Sequence, residues 1–138
     1  MPDTQSFTFD LSSPPDDVET LHDLLEPVWG GLNTLTPTDR FSFETALIEL
    51  VANIIRHGDT GSGVVFTLTV EKTTSRITAV STDNGPEAHV EWDRDEMPDA
   101  LAESGRGIQL IRALADDLSY SRVDGQNRWE ISRTLEAQ

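Results

Sequence analysis

The sequence predicts an α+β fold, a two-layer sandwich in which a mixed, mostly antiparallel sheet is covered by helices on one face. Three observations predict it. Runs of period-2 apolar alternation recur near both ends and in the middle of the chain. They are separated by helical patterns without the strict strand–helix alternation of a parallel sheet. The whole is 138 residues, the size of one domain with a single core.

Taken in order, residues 6–11 place Phe7, Phe9 and Leu11 on one side of a strand. SSPPDD follows, with Ser12 or Ser13 as a candidate cap and acids in the first turn of a helix whose apolar positions are Val18, Leu21, Leu24, Leu25 and Val28. Pro27 disturbs its last turn, and Gly30-Gly31 ends it. A second helix starts around Thr36-Pro37-Thr38-Asp39 and runs to about His57, before Gly58. Two strands, 64–70 and 76–82, flank a polar turn at residues 72–75. Residues 84–106, rich in Pro, Gly and acids, read as a long loop with room for a short helix, a length that goes with function or disorder. A helix from Gly107 to Leu114 or Ala115 precedes two strands, 118–123 and 128–135, around the turn Asp124-Gly125-Gln126-Asn127.

Composition narrows the function classes. Twenty-five acids against 10 Lys and Arg give a net charge of −15, a field that repels nucleic-acid backbones and anionic lipid and favours a protein partner with a basic surface, or simply solubility. There is no cysteine, so disulfides and cysteine-ligated zinc are excluded, in keeping with a cytoplasmic location. The N-terminus lacks the basic and apolar regions of a signal peptide, and no apolar run is long enough to span a bilayer.

Three groups of residues carry candidate chemistry. Glu49, Asn53 and His57 stand at i, i+4 and i+8 on one narrow helix face, an acid, an amide and an imidazole suited to a base and an oxygen ligand for Mg²⁺. The plain alternative is a solvated face, with His57 favoured at a helix C-terminus. Asp83-Asn84-Gly85 follows an apolar strand; the acid can accept from a purine amine while Gly85 leaves room, and the plain alternative is a tight turn. Gly105-Arg106-Gly107-Ile108 lies at a loop-to-helix junction, where backbone N–H groups form an anion site, or merely a hinge.

The order of the three groups resembles one family. ELVANIIRHG, residues 49–58, is similar to the N box of GHKL ATP-binding domains (the Bergerat fold), E-x-x-x-N-x-x-x-H. Asp83-Asn84-Gly85 resembles their G1 box and SGRGIQLIRAL, residues 104–114, their G2 box; the closing stretch resembles the final hairpin of the stand-alone, RsbW-like anti-sigma factor kinases. The resemblance implies a single ATP-binding domain in which Glu49 is the general base and Asn53 holds Mg²⁺. Asp83 recognises adenine with Gly85 beside it. Ser104, Gly105, Arg106, Gly107 and Ile108 form the phosphate-wrapping segment, and residues 86–106 the ATP lid. His57 stands near the phosphates and Thr134 on the adenine side.

The function implied is an Mg-ATP-dependent protein serine/threonine kinase that binds a sigma factor and phosphorylates a STAS-type antagonist. The alternative is a non-catalytic nucleotide-binding module that switches some other partner. A homodimer through Phe7 and Phe9 is a further expectation, against their simply filling the core. One departure stands out: Pro86-Glu87 replaces the second half of the usual D-x-G-x-G pattern. An acid there opposes a polyanion unless the loop turns it outward.

Overall fold

The computed structural model describes residues 4–32, 34–58, 61–88 and 103–135, with the side chains of 103–107 outside the description. Eight elements follow in order: β1 (Gln5–Ser13), α1 (Val18–Gly31), α2 (Pro37–Gly58), β2 (Val64–Lys72), β3 (Arg76–Asp83), α3 (Glu103–Leu114), β4 (Asp117–Val123) and β5 (Gln126–Thr134). The sheet is five-stranded in the order β1-β2-β3-β5-β4. All four of its pairings are antiparallel, so the expected mixed sheet is corrected to an antiparallel one.

Alternation along the strands decides which face is covered. Val64, Phe66, Leu68 and Val70 of β2, Ile77 and Ala79 of β3, and Trp129 and Ile131 of β5 are buried. Between them Thr67, Thr69, Thr78 and Thr82 remain partly open. The helices complete the same core with Leu21, Leu25 and Val28 of α1, Phe43, Leu47, Leu50, Val51 and Ile54 of α2, and Ile111 of α3. Phe7 and Phe9 pack against this core as well.

Helix ends depart from expectation in instructive ways. β1 runs through Ser13, which pairs with Val64, so neither Ser12 nor Ser13 caps α1. Asp17 does, accepting from the Thr20 N–H while Thr20 Oγ1 accepts from the Asp17 N–H, a reciprocal capping box. Pro27 is accommodated inside α1, and Gly30 and Gly31 form its last turn before Leu32 closes it by donating to Val28 and Trp29 carbonyls. α2 opens as expected: Thr36 Oγ1 accepts from the Asp39 N–H, and Pro37 occupies the first turn, where its missing N–H costs nothing. The Asp124-Gly125 pair, both at positive φ, makes a two-residue hairpin turn, so Gln126 and Asn127 belong to β5 and not to the turn.

One end of the β3–β5 pair is closed by ion pairs and hydrogen bonds. Arg133 sends Nε to Asp39 Oδ1 (2.9 Å) and Nη1 to the Leu114 carbonyl (2.8 Å), tying α2, α3 and β5 together around an acid that is 1 % exposed. Arg76 donates to Asp117 and to Ser132 Oγ. The Thr134 N–H donates to Asp116, and this bond above all holds the Asp116 carboxyl below the usual carboxylate range.

Candidate nucleotide site

The other end of the same strands is where the sequence motifs meet. β3 ends on Asp83, opposite Phe66 on β2 and Asn127 on β5. Its side chain, in a residue 2 % exposed, turns back on the chain: Oδ1 accepts from the Gly85 N–H (2.8 Å) and from Asn127 Nδ2 (3.0 Å). A buried carboxylate with amide donors and no basic side chain bonded to it among the described residues retains lone pairs on Oδ2 for a further donor.

Gly85 is required by packing. A Cβ there would stand 2.8 Å from the Cα of Gly58 and 2.9 Å from Asp83 Oδ1. Gly58, the last residue of α2, is closed in its turn by Val64, whose Cγ2 would be 2.7 Å from an added Cβ. The end of the ELVANIIRHG segment thus touches the Asp83-Asn84-Gly85 turn backbone to backbone. The space that Gly85 leaves is filled by Gly58.

Along α2, Glu49 is half-buried, Asn53 is 6 % exposed and His57 reaches solvent. Asn53 Oδ1 accepts from Arg56 Nη1 (2.9 Å), while its Nδ2, buried, has no hydrogen-bond partner among the described residues. An orphaned buried amide is costly and calls for an acceptor oxygen. Partial burial, and then the neighbouring Arg56 charge, hold the His57 pKa below its ordinary 6.5.

α3 packs against α2 and begins at Glu103, four residues earlier than expected. Ser104, Gly105, Arg106 and Gly107 therefore sit in its first turn and not in a preceding loop; their side chains lie outside the described residues, as do residues 89–102 of the lid expected over 86–106. Ile108, half-buried, packs on the core. Glu87 is exposed.

Thr134 is not part of this site. It pairs with Arg76 at the far end of β3, seven positions from Asp83, or roughly 24 Å along the strand. In an antiparallel hairpin it is the start of β5, not its end, that returns to Asp83. The residue so placed is Asn127, which sequence reasoning assigned to the turn. Tyr120 and Arg122 on β4 join it: Tyr120 OH donates to Asn127 Oδ1, and Arg122 Nη1 donates to Asn127 Oδ1 (3.0 Å) and the Gly85 carbonyl (2.9 Å). The Asp-Gly dipeptide was the available signal, since a two-residue turn fixes the β4–β5 register.

The residues present fit a nucleotide with its metal in part. Asp83 suits an exocyclic amine and Asn53 Nδ2 a phosphate oxygen; Asn53 Oδ1 accepts one hydrogen bond from Arg56 and keeps a second lone pair, though the guanidinium beside it opposes a metal cation there.

Comparison with known proteins gives the family and the fold. Residues 11–132 match the model of the histidine kinase-like ATPase domain. The chain belongs to that family, a class of ATP-binding domains. Among solved structures it is similar to the catalytic domain of the histidine kinase ThkA in a nucleotide-free form, with a TM-score of 0.57 and 14% identity over 96% of this chain and 99% of that one. That likeness is one of fold. A search of curated proteins finds no match. Among the described residues no helix is long and apolar enough to cross a membrane.

Proposed function

We propose that this chain is an Mg-ATP-dependent protein serine/threonine kinase of the anti-sigma factor type, which binds a sigma factor and phosphorylates a STAS-type antagonist. The observation that carries the nucleotide part is the contact of Gly58 with Gly85, which brings the orphaned Asn53 amide and the buried Asp83 carboxylate onto two segments packed directly together. The kinase part rests on Glu49, one turn before Asn53 on the same helix face and half-buried.

In this reading Asp83 accepts the adenine amine and Asn53 meets the phosphate end. Mg²⁺ bound with ATP supplies charge neutralisation on the phosphates. Glu49 accepts the proton of a serine or threonine hydroxyl as its oxygen bonds to the γ-phosphorus; the bond to the β–γ bridging oxygen breaks, and ADP leaves. A second copy of the chain and a cytoplasmic setting belong to the same proposal.

A second reading, a nucleotide-dependent partner switch without phosphotransfer, is favoured by one observation, the occupation of Asn53 Oδ1 by Arg56. Calorimetric titration with Mg-ATP separates site from no site. Saturable binding weakened by Asn53→Ala and by Asp83→Asn supports the site, and absence of binding by the unaltered protein overturns it. Phosphate transfer from labelled ATP to a STAS-type antagonist, lost in Glu49→Gln with ATP binding retained, decides for the kinase; no transfer by the unaltered protein decides for the switch.

A further inference from the structure

We infer that Asn127 is a positioning residue that fixes the Asp83 carboxylate for a 6-aminopurine, and that Tyr120 and Arg122 exist at this site to orient Asn127. The inference rests on the nucleotide-site reading above and deepens it.

The side chain of Asn127, in a residue 3 % exposed, has its hydrogen-bonding capacity fully used. Its Oδ1 accepts from Tyr120 OH and Arg122 Nη1, and its Nδ2 donates to Asp83 Oδ1 (3.0 Å) and to the Pro86 carbonyl (2.7 Å), with the Gly85 carbonyl at 3.4 Å. A primary amide has two N–H groups and two lone pairs on its oxygen, so the count closes. The orientation follows from its neighbours. At the Oδ1 end stand a phenol and a guanidinium that donate; at the Nδ2 end stand a carboxylate and carbonyls that only accept. Turning the amide over would set donor against donor and acceptor against acceptor.

The consequence falls on Asp83. Its Oδ1 is occupied by two donors, the Gly85 N–H and Asn127 Nδ2, which leaves Oδ2, without a hydrogen-bond partner among the described residues, as the oxygen to recognise a base. An oxygen that only accepts favours a ring substituent that donates, the 6-amino group of adenine. A 6-oxo purine would set its carbonyl oxygen against the carboxylate. The same network holds the turn in which Asp83 sits, because Arg122 also binds the Gly85 carbonyl and Tyr120 OH accepts from the Ala88 N–H (3.0 Å). Without Asn127 the carboxylate gains freedom to rotate, and its selectivity drops before its packing does.

The test compares dissociation constants for Mg-ATP and Mg-ITP, which differ in the 6-substituent, by calorimetry on the unaltered protein and on Asn127→Ala, Tyr120→Phe and Asp83→Asn. Expected are a preference for ATP on the order of a hundredfold in the unaltered protein, and in Asn127→Ala a loss of about tenfold in ATP affinity with ITP little changed. Tyr120→Phe should move the ratio the same way by a smaller factor. A loss shared equally by ATP and ITP marks a structural role and overturns the inference. So does an unchanged ratio in Asn127→Ala while Asp83→Asn weakens ATP, which leaves the nucleotide site standing. If the unaltered protein binds neither nucleotide, both readings fall together. Should Asn127→Ala lack a cooperative melt, Tyr120→Phe, which removes one hydroxyl, decides by the same ratio.

Discussion

Strands β3 and β5 carry a polar cluster at each end, one around Asp83 and one around Asp39 and Arg133, and the two are finished differently. At the Arg133 end a basic side chain meets the buried acid: Arg133 satisfies Asp39 and the α3 carboxyl terminus, and Arg76 binds Asp117 and Ser132. At the Asp83 end, among the described residues, the buried acid is held by amides alone and a buried amide donor on the adjacent helix has no partner. A protein gains nothing in stability by leaving buried polar capacity unused. Within a single pair of strands, one end is built to hold the fold and the other to hold something else.

Substitutions can break that contrast. The largest effect is expected at the structural end. Arg133→Met takes from Asp39, 1 % exposed, the guanidinium that donates to its Oδ1 and should cost about 3 kcal/mol in chemical denaturation. Affinity for ATP in the folded fraction should stay within about twofold, since the two ends are independent. A large loss of affinity would mean that they are coupled.

Next come the glycines of the nucleotide end. Gly85→Ala forces a Cβ to within 2.8 Å of the Gly58 Cα, a backbone atom that cannot swing aside. The expected cost is about 1–3 kcal/mol, accompanied by a fall in ATP affinity, read as a denaturation midpoint and a calorimetric titration on the same sample. Asp83→Asn should do the reverse of Arg133→Met: a loss of tenfold or more in ATP affinity, about 1.4 kcal/mol, with a melting temperature displaced by only a few degrees.

The smallest effect concerns pH. Since the folded His57 has a pKa below 6.5, the unfolded chain takes up the proton first as the medium is acidified. Its contribution to stability is therefore intact above 6.5 and is lost as pH falls from there through the folded value. His57→Gln should flatten the decline of the denaturation midpoint in that window and leave the neutral value almost unchanged. An identical slope in both proteins would discount His57 as its source.

Much of this contrast could be read from sequence. The period-2 runs located β2 and β3 to within a residue or two, and the helical stripe with Thr36 before it and Gly58 after it bounded α2, because local capping and alternation determine those elements. The N-terminal cap of α1 was misplaced since Ser13 is taken up by pairing with Val64, a contact 51 residues away that no local pattern reports. The start of α3 was missed because glycines at 105 and 107 are poor helix formers, and packing against α2 overrides propensity.

For the site, Asn53 and Asp83 were singled out by the order and spacing of the motifs, and the structure buries both, one on α2 and the other at the end of β3. Thr134 and Asn127 were exchanged for a physical reason. Which end of β5 lies beside Asp83 depends on the hand-over at the Asp124-Gly125 turn, and counting the turn as four residues hid Asn127 inside it. Tyr120 and Arg122 carry no motif at all; only the β4–β5 register, with Tyr120 opposite Trp129 and Arg122 opposite Asn127, brings them to the site.

The meeting of Gly58 with Gly85 limits how the molecule can vary. Two stretches of sequence separated by more than twenty residues share one space only wide enough for hydrogen atoms. A side chain added at Gly85 is driven onto the Gly58 backbone, at the end of the helix that carries the amide, whereas one added at Gly58 is driven onto Val64 at the start of β2. The two motifs are packed as one unit, and a change at Gly85 is tolerated only together with a shift of the backbone at Gly58.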